Sequence, residues 1–147
     1  NDKKASLLVY MQVEKWAKFE VPESVQSHKQ LEKYIAEAAQ KYGLDIEKPV
    51  PFRLSGTSKT LRWHVIDWDP NDTKHTHKKH MTSGPNGTLH DVQAEIIGIY
   101  SSKHKAIFTH HSTSIHMHFK TGDNKLAGHI DQLVPGDNMI PYLPKTQ

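Results

Sequence analysis

The chain has 147 residues, 35% hydrophobic and 24% charged, with a formal net charge of +3 and no cysteine. That length suits one domain with a genuine core. The lack of cysteine excludes disulfides and thiolate ligands, and no run approaches the ~20 apolar residues needed to span a membrane as a helix.

Basic and acidic residues are interleaved except around Lys74 to His80. A reader of nucleic acid usually carries a marked basic stripe, so the expected partner is a small anionic molecule rather than nucleic acid or a membrane. The apolar residues fall in patterned runs, as in a soluble globular protein. The sequence begins at Asn1 rather than Met, which reads either as removal of a signal peptide or as trimming; a periplasmic or secreted location is the expectation. Eleven of the 12 histidines lie between His64 and His129, which makes the N-terminal part scaffold and the later part chemistry.

In chain order, Leu7 to Val13 reads as a first strand, and Phe19 to Glu23 as a connection. Ser27 and Gln30 form a capping box. Leu31, Tyr34, Ile35, Ala38 and Tyr42 then recur at helical spacing until Gly43 stops them, predicting an amphipathic helix over about 28–42 that covers one face of a sheet. Past Pro49 and Pro51 the pattern turns extended. Phe52–Thr57 and Leu61–Trp68 read as neighbouring strands, with Arg62, His64 and Ile66 on one face of the second.

Asp69 to Gly87 reads as a solvated polar loop. Its His75, His77 and His80 sit among lysines that disfavour a nearby cation, against a second metal site or a basic lid. Its Asn71-Asp-Thr73 triplet, like Asn86-Gly-Thr88, matches a glycosylation pattern common by chance. Strands resume at Ala94–Tyr100, Lys105–His111 and Met139–Leu143. The expected fold class is α+β: a mostly antiparallel meander, either open or partly barrel-like, with one helix packed on it, as a single domain over 1–147.

The most informative stretch runs from Ile115 to Ile130, two alternating segments around a Thr121-Gly-Asp-Asn-Lys125 turn, predicting a β-hairpin. His116 and His118 share a strand face, while Ile115, Met117 and Phe119 point to the core. With Asp123 and Asn124 central, position 118 opposes 129; with Gly122 and Asp123 central, position 116 does. Either register brings His116, His118 and His129 onto one face. The small Ala127 and Gly128 leave room for an ion. Three imidazoles without a fourth protein ligand describe a site whose last position is open to water or substrate.

Several of these segments resemble one family. Ile97-Gly-Ile-Tyr-Ser101, His116-Met-His118-Phe119 and Leu126-Ala-Gly-His129-Ile130, together with Gly56-Thr57 and Lys59 before the Leu61 strand, look like the metal-site region of the α-acetolactate decarboxylases. The likeness covers about residues 52–143. It implies that His116, His118 and His129 are ligands to zinc, or to another divalent transition metal. It also implies a carbon–carbon lyase that takes carbon dioxide from a small anionic 2-hydroxy-3-keto acid, with the metal stabilising an enolate and a positioned acid protonating it.

The chain also departs from that pattern. Family members carry an arginine where this sequence has His64, with Arg62 two residues earlier on the same face; these two are the candidate catalytic residues. The family's glutamate beyond the third histidine falls outside this sequence, and the acid near its N-terminal Gly-Glu-Leu element has no counterpart around Ser6. His110 and His111 are further candidates for proton donor or extra ligand. Two readings therefore stand: a metal-dependent lyase, and a non-catalytic histidine-rich metal-binding protein that keeps the metal site alone. A homodimer is left open. Cupins and α-carbonic anhydrases also use paired histidines, but their surrounding residues match less well.

Overall fold

The computed structural model describes residues 11–74, 76–103 and 113–146, apart from the side chain of His77. Among these residues, six strands and two helices follow one another as β1 (Trp16–Lys18), α1 (His28–Lys41), β2 (Val50–His64), α2 (His77–Thr82), β3 (Asn86–Tyr100), β4 (Ile115–Thr121), β5 (Ala127–Pro135) and β6 (Ile140–Pro144). All strand pairings are antiparallel, in the order β1-β6-β2-β3-β4-β5, and β5 also pairs with β2. The expected α+β fold is present, with four strands, β2 to β5, closed into a ring.

The main helix forms as its sequence dictates. Ser27 caps it by accepting from the Gln30 amide at 3.2 Å, while the Gln30 side chain accepts from the Gln26 amide and the Ser27 hydroxyl. At the other end Gly43 adopts φ +88°, and the Gly43 and Leu44 amides donate to the Gln40 and Ala39 carbonyls. This is the double closure of a Schellman turn, which favours glycine. Leu31, Ile35 and Ala39, spaced by four, are fully buried with Phe52, Leu54 and Ile96 in the core.

Several strand boundaries differ from the sequence pattern. Leu7–Tyr10 lies outside the described residues, Met11–Val13 is not extended strand, and the first strand is Trp16–Lys18. The segments read as two neighbours, Phe52–Thr57 and Leu61–Trp68, are one 15-residue strand, β2, that ends at His64. The reason is a β-bulge: against β5, Ser58 pairs with Pro135 and Thr60 with Val134, leaving Lys59 as an extra residue. Ser58 and Leu61 are both buried, so the inward phase slips by one residue there.

Strand β3 slips in step, with Asp91 opposite this bend at φ +47°. It begins at Asn86, eight residues before the predicted Ala94, because its polar first half still pairs with the end of β2. The loop before it carries the short helix α2, capped by Thr76. The predicted strand Lys105–His111 lies outside the described residues.

The ring closes tightly at Gly128. A Cβ added to Gly128 would stand 2.8 Å from the His64 carbonyl oxygen and 3.2 Å from the Trp63 ring. Gly128→Ala should therefore push β5 away from β2, costing on the order of 1–3 kcal/mol. A urea midpoint equal to that of the parent would contradict this role for the glycine.

Candidate metal centre

The hairpin β4–β5 settles the register left open by the sequence. The Thr121 amide donates to the Leu126 carbonyl and Asn124 takes φ +57°, so the four residues Gly122–Lys125 form the loop, and His118 stands opposite His129. Ile115, Met117 and Phe119 are buried, which turns His116 and His118 to the other face. The β2–β5 pairing then sets His64 directly opposite His129. His64, His129 and His118 thus form a row across three adjacent strands, with His116 two residues along β4.

The ring centroids of His118 and His129 are 4.2 Å apart, those of His116 and His118 4.8 Å, and those of His116 and His129 5.3 Å. One coordinating nitrogen from each of the three lies within 4.8 Å of the others, so the trio could hold a metal ion. His116 Nε2 and His118 Nε2 share a hydrogen bond at 2.8 Å. Two nitrogens bound to one tetrahedral zinc at its usual bond length stand ~3.3 Å apart, so a slight opening of that pair admits an ion.

Burial pushes His116 down to about 4, helped by the neighbouring His118 and His64. Burial likewise takes His129 to about 4, with His118, His116 and His64 adding to it, and lowers His118. Neutral imidazoles with free lone pairs are the form that binds metal, so the donor set fits a divalent transition metal at neutral pH.

Gly128 does not have the role of leaving room for an ion that the sequence suggested. Gly128 faces the β2 backbone, so its small size serves strand approach rather than the metal face. His64, a candidate catalytic residue, is 8% exposed and joins the cluster, its ring stacked on His129 with centroids 5.1 Å apart. Arg62 does not join it: the side chain is exposed and makes no hydrogen bond or ion pair among the described residues. His110 and His111 lie outside the described residues, as does His75, while His80 stacks on Trp68 in the loop carrying α2.

Asp131 is the residue that sequence reasoning missed. Its carboxylate meets His64 Nδ1 at 2.9 Å, with both side chains nearly buried. Burial lowers His28, at the start of α1, while Glu32 and Asp131 oppose the shift, which puts Asp131 within electrostatic reach of the helix as well. The usable signal was the break in alternation at Asp131-Gln132, where β5 carries an extra residue against β2.

No protein-family model matches this sequence, and no curated protein is significantly similar to it. Solved structures share its fold. Acetolactate decarboxylase from Bacillus subtilis subspecies spizizenii superposes with a TM-score of 0.66 at 13% identity, over 94% of this chain and 55% of its own. The chain thus spans about half the length of that enzyme. A candidate DNA-binding protein from Bacteroides thetaiotaomicron has a TM-score of 0.50 at 14% identity, covering 95% of this chain and 84% of its own. A metal-containing protein from Archaeoglobus fulgidus, also with a TM-score of 0.50 at 14% identity, covers 94% and 84%. The fold is therefore that of acetolactate decarboxylase structures.

The imidazole cluster makes stability depend on pH. Folding lowers the proton affinity of His116 and His129 below the ordinary histidine value, so the unfolded chain binds more protons between about pH 6.5 and about pH 4. The metal-free protein should keep its full stability above that window and lose it as pH falls through it. Urea midpoints at about pH 7 and about pH 5 should differ in this sense, and less so after His116→Gln with His129→Gln; identical midpoints in the parent would contradict it.

Proposed function

We propose that this chain is a divergent relative of the acetolactate decarboxylases that binds zinc through His116, His118 and His129 and acts as a carbon–carbon lyase on a small 2-hydroxy-3-keto acid. The observation that carries the proposal is the convergence of three neutral imidazoles, within 4.8 Å, on a fold shared with those enzymes. A divalent ion in that position supplies Lewis acidity, stabilising the charge that develops on substrate oxygens as carbon dioxide departs.

The protein's own part is to position and to desolvate the site. The β4–β5 pairing fixes three rings without relying on loops, and burial keeps them unprotonated and ready. His64 stacks on His129 beside the trio and is the group placed to exchange a proton at Nε2. Arg62 is not required in this reading. The mild positive charge favours an anionic substrate.

The non-catalytic alternative has its own support. The Archaeoglobus fulgidus protein, matched over most of its length, is characterised by its metal. Asp131 is already committed to His64, and no other carboxylate among the described residues is bonded to the four clustered histidines. Metal binding without turnover is the outcome that would favour it.

Elemental analysis of the purified protein joined to a 2-acetolactate assay separates the two readings. About one equivalent of zinc with carbon dioxide release supports the lyase, and zinc without release supports the binding protein. His118→Ala should abolish stoichiometric metal binding, and retention of one full equivalent would refute the ligand set.

A further inference from the structure

We infer that Asp131 is a positioning residue: it holds His64 with the proton on Nδ1, leaving Nε2 as a bare acceptor beside the metal face that selects ligands carrying a hydroxyl group. This deepens the function proposed above and rests on it for the ligand, though not for the state of His64.

The first support is the bonding of His64. Its Nδ1 lies 2.9 Å from the Asp131 carboxylate, in surroundings where the side chains are only 10% and 13% exposed. An ionised carboxylate only accepts, so the nitrogen facing it must carry the hydrogen. In the neutral ring the other nitrogen then has a free lone pair. His64 Nε2 has no hydrogen-bond partner among the described residues, and the ring lies against His129.

A second and independent support is the backbone at Asp131. Along β5, Gln132 pairs with Arg62 and Ile130 with Trp63, so Asp131 is the extra residue of a bulge on the strand that carries His129. Bulges redirect a side chain at the cost of a ladder bond and recur beside functional sites. Here the bulge falls at the residue whose carboxylate reaches the fourth histidine of the cluster. A regular strand would have continued the alternation instead.

The pairing is also selective. Among the described residues, a carboxylate meets a ring nitrogen of His64 but of none of His116, His118 and His129; His116 and His118 bond to each other. A carboxylate behind an imidazole fixes its tautomer and its orientation. Since His64 falls outside the trio whose nitrogens converge, the fixed ring serves a ligand of the ion rather than the ion itself. An acceptor in that place favours a chelator that offers an O–H, such as a 2-hydroxy acid, over the same molecule with the hydroxyl methylated. A site built to bond a hydroxyl rejects the analogue that lacks it, because a buried polar group is left unpaired.

Two measurements test this on the full chain. Long-range proton–nitrogen NMR of the metal-free protein, with nitrogen-labelled histidine, should find His64 carrying its proton on Nδ1. In Asp131→Asn the amide can donate instead, so the other tautomer should appear. A His64 ring protonated on Nε2 in the parent overturns the inference, whether or not metal binds.

The second measurement compares 2-hydroxyisobutyrate with 2-methoxyisobutyrate by calorimetry on zinc-loaded protein. The preference for the hydroxyl compound should fall about tenfold in Asp131→Asn and in His64→Phe, the loss of one hydrogen bond, while zinc stoichiometry stays unchanged. An unchanged preference in both zinc-loaded variants overturns the inference. A parent protein that takes up no zinc refutes the metal site instead, and leaves the NMR result to decide the role of Asp131.

Discussion

Antiparallel pairing between the end of β2 and β5 closes the sheet on itself, and the metal face exists only because that closure is made. Alone, the β4–β5 hairpin aligns three histidines on a ribbon open to water. Closure sets His64 against His129, covers one side of the cluster and removes enough water to lower the proton affinity of three imidazoles. The two bulges in this pairing, at Lys59 and Asp131, let the strands bend around the core and also decide which side chains reach the cluster.

Crowding four imidazoles has consequences for both stability and chemistry. Protonating His116 or His129 is opposed by burial first and by neighbouring histidines second, so both stay neutral under ordinary conditions, with one proton shared between the Nε2 atoms of His116 and His118. A divalent cation relieves that arrangement, turning a cost of folding into binding free energy. The buried face beneath, with Met117 and Phe119 packed against the core, holds the β4 histidines while the loop at Gly122–Lys125 stays exposed.

The likeness to acetolactate decarboxylase covers nearly all of this chain but only about half of the enzyme. The shared part includes the strands that carry the imidazoles. Within it, His64 and Asp131 form a ready-made pair beside the cluster, whereas Arg62 stays on the exposed side. A lyase and a metal-binding protein can share such a frame, because fold places the ligands while the groups around the open position choose the reaction.

Local chemistry was enough for much of the molecule. The capping box at Ser27, the four-residue spacing of Leu31, Ile35 and Ala39, and the alternation of Ile115 to Phe119 each report on neighbours a few residues away, and helix, hairpin and histidine face follow from them. The union of Phe52–Thr57 with Leu61–His64 was not legible, since a bulge mimics a strand break until the partner strand is known. Nor was the fixing of the hairpin register, which two turns allowed. Asp131 and the packing of Gly128 against β2 were beyond local pattern for the same reason: both depend on a pairing between residues about 65 apart in sequence. The sequence by itself determined which residue types share a face; only tertiary closure decided which faces meet, because long-range pairing, and not periodicity, sets contact across a ring of strands.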